Sequence, residues 1–150
     1  MLTYNDVWST FLDNYKVDTK DISQTEEAVY NDIKNAVILY NNRMRTNLIC
    51  DNAAETIANA KTDDERLVIA HYIRLVYLKN SKTLYETLYQ PISPDVGIRN
   101  YRTQMSSLQT SIKDQESMIE SFIFNMQEDF LWIIKRLKLK PIISHKVIQI

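Results

Sequence analysis

Few residues of this 150-residue chain have the types and spacing that catalysis or metal binding needs. Cys50 is the only cysteine, and His71 and His145 are the only histidines. These are too few ligands for a structural zinc site. A carboxylate-bridged di-metal bundle needs Glu-x-x-His pairs, but Val68 stands three residues before His71. We therefore expect no catalytic residue, no metal and no cofactor.

Phosphate-binding loops and clustered carboxylates give no stronger signal. The single glycine, Gly97, cannot build a P-loop or a dinucleotide-binding loop, because both need several glycines. The run Asp63-Asp64-Glu65 follows Thr62, which predicts the charged first turn of a helix rather than an acid–base site. An enzyme is therefore the weakest hypothesis for this chain.

Charge is distributed unevenly, although the net charge is only −1. Residues 1–32 contain seven acids and two lysines, whereas residues 130–150 contain five basic residues and no acid. The near-neutral total gives no general attraction to nucleic acid or to an acidic membrane. The two ends are either simply solvated or form complementary surfaces for protein contacts.

The sequence shows no membrane span and no export signal. Its most apolar stretch, 67–78, is interrupted by His71 and Arg74, and a membrane helix needs about 18 or more apolar residues. Residues 1–6 lack the basic and apolar regions of a signal peptide, and the single cysteine suits a reducing compartment. We expect assembly in a cytoplasm without membrane contact.

Helical spacing predicts an all-α fold, with a helical bundle in residues 1–140 and an extended tail in residues 141–150. Apart from Pro141, the prolines and the glycine cluster between residues 90 and 97, which frees the stretches on either side to be helical. Ser/Thr-x-x-Asp/Glu capping boxes mark helix starts at Thr3, Ser23 and Thr62. The predicted helices cover residues 5–15, 24 to about 49 or 60, 63–90, and 98 onward, and residues 130–139 either continue this last helix or form a short separate one.

The fourth predicted helix has the most regular pattern. Seam residues recur at spacings of three and four, as in a coiled coil, and only Gln115 among them is polar. About 30 helical residues reach ~45 Å, whereas a compact domain of this size is only ~38 Å across. We expect the first half of the seam to pack on the third helix and the second half to contact another subunit; burial of the whole seam within one chain is the alternative. The predicted subunit contacts are Ile112, Ile119, Phe122 and Met126.

The C-terminal residues carry two further predicted contacts. The segment after Pro141 is β-branched and apolar, which favours extended structure. We expect it to dock on a neighbouring protein, with an intramolecular clasp as the alternative; its contact residues are Ile142, Ile143, His145, Val147 and Ile148. Basic residues just before it are expected to face DNA or an acidic protein surface, and these are Lys135, Arg136, Lys138 and Lys140.

The order of these features resembles the small helical head–tail connector (adaptor) proteins of tailed bacteriophages. The resemblance lies in a short first helix near Thr3-Tyr4, a central apolar helix with a tyrosine-rich end at 67–89, and Tyr101 near the start of a later helix. It implies a structural virion protein at the head–tail junction. It further implies a ring, commonly of twelve copies, that contacts the portal protein and tail components and lets DNA pass.

Two rival hypotheses rest on the same residues. One is a cytoplasmic helical regulator that dimerises through the seam between Ile98 and Met126 and binds DNA through its basic tail; steep salt dependence of duplex binding would favour it. The other is a small helical enzyme that uses Cys50 or His71. Full function after Cys50→Ser would remove most of its support.

Deletion of residues 141–150 should abolish binding to the neighbouring ring, because the deleted segment supplies the predicted docking residues. The helical circular dichroism signal should remain, since the predicted helices end before Pro141. Unchanged assembly of the truncated protein would contradict the docking role.

Overall fold

The computed structural model describes residues 1–15, 25–89 and 98–138, and this part of the chain contains four helices and one small sheet. The helices are α1 (Tyr4–Asn14), α2 (Glu26–Met44), α3 (Asp63–Tyr89) and α4 (Ile98–Lys138). The strands are β1 (Leu2–Thr3), β2 (Ile49–Asp51) and β3 (Thr56–Ala58). The predicted all-α class is confirmed, with the sheet as a minor addition.

Capping boxes start α1 and α3, as the sequence predicts. At α1, the Thr3 hydroxyl accepts from the Asp6 backbone N–H and the Asp6 carboxylate accepts from the Thr3 N–H, each at 3.1 Å. The same exchange joins Thr62 and Glu65, at 2.9 and 3.2 Å. Each box satisfies two backbone donors that a helix start would otherwise leave unpaired. Those hydrogen bonds with Thr3 also lower the pKa of Asp6.

Helix α2 begins later than predicted. The expected cap, Ser23, lies outside the described residues, and the observed N-cap is Thr25. The Thr25 hydroxyl accepts from the Ala28 N–H at 3.3 Å. The capping-box spacing favours Ser23, because Glu26 lies three residues after it, whereas Ala28 lies three residues after Thr25.

The chain after α2 forms a β-hairpin, which the sequence did not predict. Helix α2 ends at Met44, and Arg45 takes the left-handed conformation with φ 56°. The Asp51 carboxylate accepts from the N–H groups of Ala53 and Ala54, at 2.9 and 3.1 Å. Such a side-chain turn competes with helix formation. The prediction that α2 continues to residue 49 or 60 is therefore wrong.

Strand β3 is the centre of the sheet, whose order is β1-β3-β2 with antiparallel pairing throughout. Ile57 of β3 pairs with Leu2 on one side and with Cys50 on the other. This pairing joins the start of the chain to the hairpin about 50 residues later, and the Tyr4 N–H extends the link by donating to the Glu55 carbonyl at 2.9 Å. Ile57 is fully buried and belongs to the same core as the helices.

Helix α3 lies at the centre of the core and packs against α1, α2 and α4. Its first half is buried around most of its circumference, as a central helix should be, and the predicted central position is confirmed. The buried residues of α3 are Val68, Ile69, Ala70, His71, Tyr72, Ile73, Leu75 and Leu78.

Helix α4 is longer than the helix on which it packs. It has 41 residues and α3 has 27, or about 62 Å against about 40 Å at 1.5 Å per residue. The two run antiparallel: Tyr85 stacks on Tyr101, and His71, earlier in α3, stacks on Phe122, later in α4. The sequence allowed residues 130–139 either to continue this helix or to form a separate one. The structure shows continuation to Lys138.

Replacing a central side chain of α3 should destabilise the fold strongly. Ile69 is fully buried, so Ile69→Ala should lower the free energy of unfolding by about 2–5 kcal/mol. Ile38 on α2 is 55% exposed, and the same substitution there should change it by no more than about 0.5 kcal/mol. Urea unfolding followed by circular dichroism measures both. Equal losses in the two variants would contradict the central position of α3.

Candidate functional site

The seam of α4 packs against the core of its own chain. Ile119 is only 2% exposed, and Ile112, Phe122 and Met126 are partly buried and pack against the same core. The apolar pattern that motivated the interface prediction is therefore covered within one chain, which was the alternative considered from the sequence. A subunit contact through the partly buried residues of the seam stays a prediction.

Among the α4 residues whose side chains the structure describes, 101–127, two large apolar side chains off the seam are exposed. Met118 is 45% exposed and Phe124 is 58% exposed. Helical spacing places them about 120° apart, on either side of the exposed Ser117 and Ser121, which mark the outer face of α4 opposite its buried seam. Sequence reasoning missed them because it followed the seam spacing. The signal that could have found them is a large apolar residue set among serines off the seam.

The remaining predicted contacts lie at or beyond the end of α4. Lys135, Arg136 and Lys138 belong to its last turns, where the backbone is helical. Lys140 and the whole docking segment lie outside the described residues; that segment comprises Ile142, Ile143, His145, Val147 and Ile148. Both sets stay predictions.

A buried polar cluster joins three helices at the one polar position of the seam. Gln115 of α4 is 6% exposed and His71 of α3 is 4% exposed. The hydroxyl of Tyr15, directly after α1, is hydrogen-bonded to His71 Nδ1. Gln115 Nε2 donates to the Tyr15 hydroxyl at 2.9 Å and lies 3.2 Å from the His71 carbonyl oxygen. Buried polar groups need such partners to offset lost hydration, so the cluster positions α1, α3 and α4 relative to one another.

The surroundings of this cluster favour the uncharged forms of its residues. Burial lowers the pKa of His71 and raises the pKa of Tyr15. The His71 ring stacks on Phe122 with centroids 4.8 Å apart, and the Arg74 guanidinium lies 5.2 Å from the centre of the Tyr15 ring. A neutral histidine that is enclosed in this way, with Nδ1 already hydrogen-bonded, is poorly placed to act as a base on a substrate.

The other candidate chemical groups are equally explained by structure. Cys50 is half-buried, and burial raises the pKa of its thiol, which disfavours the reactive thiolate. Asp63-Asp64-Glu65 forms the first turn of α3. Among the described residues, no three His, Cys, Asp or Glu side chains are grouped to hold a metal ion. Within residues 1–15, 25–89 and 98–138, no helix is long and apolar enough to cross a membrane.

Comparison with known proteins defines this helical protein as phage-derived. The model of the YomZ prophage protein family matches residues 1–128. The chain is 43% identical over 131 residues to the SPbeta prophage-derived uncharacterized protein YomZ of Bacillus subtilis (strain 168), an alignment that covers 87% of this chain and all of that relative. The chain belongs to the YomZ prophage protein family. No solved structure matches it.

The family match divides the candidate sites and surfaces of this chain into two groups. The seam of α4, the buried cluster and the exposed Met118 and Phe124 all lie within residues 1–128. The basic residues from Lys135 onward and the C-terminal segment lie beyond the matched region. The phage origin that the resemblance implied is confirmed. The family model therefore covers the body of the protein and leaves out the basic residues from Lys135 onward.

Acidification should destabilise the protein through His71. Its pKa in the folded chain lies below the ordinary value of 6.5, so the unfolded chain binds a proton near that pH while the folded chain does not. The contribution of His71 to the free energy of unfolding is therefore present above about pH 6.5 and is lost as the pH falls. The free energy of unfolding, measured with urea, should be lower at pH 5.0 than at pH 7.5.

The variant His71→Gln supplies the control for this prediction. Glutamine keeps hydrogen-bonding capacity but does not titrate, so the variant should lose less stability between pH 7.5 and 5.0. The carboxylates of Asp6 and Glu120 also have lowered pKa values, but their ordinary values are 3.8 and 4.5, below this window. Identical pH dependence in both proteins would show that His71 is not responsible.

Proposed function

We propose that this protein is a non-enzymatic structural component of a phage particle that forms a ring at the head–tail connector, between portal and tail. Helix α4 carries the proposal. It exceeds α3 by 14 residues and keeps Met118 and Phe124 in solvent on its outer face. Exposed large apolar side chains on a rigid element are suited to contact other protein.

Two further lines of support are the family and the order of the helices. The family is phage-derived, which agrees with a role in a phage particle. The order and lengths of the helices also resemble those of connector proteins, in which an N-terminal helix, a central helix and a long later helix follow one another. By that resemblance the partners are further copies of the chain, the portal protein and tail components, with DNA passing through the ring.

Charge supports a head-to-tail arrangement of subunits. A ring needs two different surfaces that meet around the circle. The carboxylates of Glu26 and Glu55 meet on the surface at the Tyr30 hydroxyl, which donates to them at 2.7 and 2.6 Å. These hydrogen bonds raise the pKa of Tyr30. An acidic surface of this kind would orient a basic surface of the next subunit more than it would add affinity.

The outer face of α4 is tested by substitution. The double variant Met118→Ser/Phe124→Ser should weaken self-association by at least about tenfold, since it removes two exposed apolar contacts of the kind that anchor interfaces. Leu84→Ser is the matched control, because Leu84 is 60% exposed on α3. Size-exclusion chromatography with light scattering gives the mass, and negative-stain microscopy shows rings. An oligomer that the double variant leaves intact would exclude this face as the subunit contact.

The particle itself tests the broader assignment. Phage particles released by induction of the host strain should contain this protein in a fixed ratio to the portal protein, as measured by quantitative mass spectrometry. Its absence from purified particles would overturn the virion role, whatever its oligomeric state in isolation.

A further inference from the structure

A groove of about 730 Å³ lies between α3 and α4. Lys79 and Lys82 line it from α3, and Lys113 lines it from α4. Among the described residues, no carboxylate lines this groove, and the other polar lining groups are hydroxyls and one amide. The remaining lining residues are Thr83, Ser106, Gln109, Thr110 and Ile112.

Helical spacing extends the row of cations beyond the groove. Arg102 precedes Lys113 by eleven residues, close to three full turns, so both lie on the same face of α4. They are separated by about 16 Å along the helix axis, and Arg102 is exposed. The positive charges are therefore spread along one face of α4 and are not concentrated at a single point.

Two of the three lysines also contact carboxylates next to the groove. Lys79 lies 2.8 Å from Glu116, and Lys82 lies 2.7 Å from Glu86. An ammonium group has three hydrogens, so each of these lysines keeps donors for a second acceptor, and such surface ion pairs are weak. Lys113 makes no ion pair with any carboxylate in the described part of the chain.

We propose that this groove binds the phosphodiester backbone of nucleic acid. Cations set along an elongated groove match a chain of phosphates better than they match one isolated anion. Lysine, hydroxyl and amide donors contact phosphate and sugar without reading bases. The lining residues that the structure describes include no aromatic ring, so the proposed interaction involves no base stacking. Binding through this surface is independent of sequence and of the proposed ring, since it needs only one copy of the chain.

Fluorescence anisotropy tests the proposal with fluorescein-labelled 20-nucleotide single-stranded DNA, the same sequence as RNA, and a 20-base-pair duplex. If three lysines neutralise three phosphates, affinity should fall about 20- to 40-fold between 50 and 200 mM NaCl. A second, unrelated sequence should bind equally well. Failure of all probes to bind at 50 mM NaCl and about 100 µM protein would overturn the proposal.

Two triple variants locate the binding surface. The first variant, Lys79→Gln/Lys82→Gln/Lys113→Gln, should weaken binding by at least about tenfold and reduce its salt dependence. The affinity and its salt dependence both arise from phosphates that the lysines neutralise. Lys34→Gln/Arg45→Gln/Lys61→Gln removes the same charge from exposed positions outside the groove and should change the affinity by less than about threefold.

The remaining outcomes are also decisive. Equal losses in both triple variants would show that only net charge matters and would overturn the groove as the site. Unchanged binding in the groove variant would do the same, and would place the contact elsewhere, such as the basic residues from Lys135 onward. Circular dichroism of each variant confirms that the helices are retained before binding is compared.

Discussion

The fold depends on the need to cover one helix on nearly all sides. Helix α3 is apolar around most of its first half, and no single neighbour could remove that much surface from water. Helices α1, α2 and α4 each cover one part of it. The hairpin and β1 add Leu2 and Ile57 to the same core. The positions of the outer helices, and hence of every surface available to a partner, follow from this central requirement.

Local signals in the sequence predicted the helices, but they could not predict contacts between residues that are distant along the chain. The Thr3 and Thr62 boxes and the apolar circumference of α3 depend on residues a few positions apart, and all were found from the sequence. The hairpin depends on a turn at Asp51 and on the pairing of Ile57 with Leu2, 55 residues away. Helical periodicity carries no sign of either, so it extended the predicted α2 through the hairpin. The sequence correctly marked Ile119 as part of an apolar seam, but periodicity shows that a face is buried without showing what buries it.

The surfaces with functional interest are those that the core leaves exposed. On α4 these are Met118 and Phe124, which lie off the seam, and the lysine-lined groove toward the other end of its contact with α3. The family match ends at residue 128, before the basic residues from Lys135 onward. The surfaces on the body of the protein are therefore better candidates for a shared role in this prophage family than the C-terminal segment is.

Gln115 has a mechanical consequence. A wholly apolar contact between α3 and α4 would let one helix slip past the other by a turn at modest cost, since one apolar neighbour replaces another. A single polar residue in such a seam fixes the alignment, because slippage would strip the amide, Tyr15 and His71 of their hydrogen bonds together. The hydrogen bonds of Gln115, near the middle of α4, would therefore resist a force that pulls on the far end of this helix. The helix would transmit that force along its length without sliding along α3.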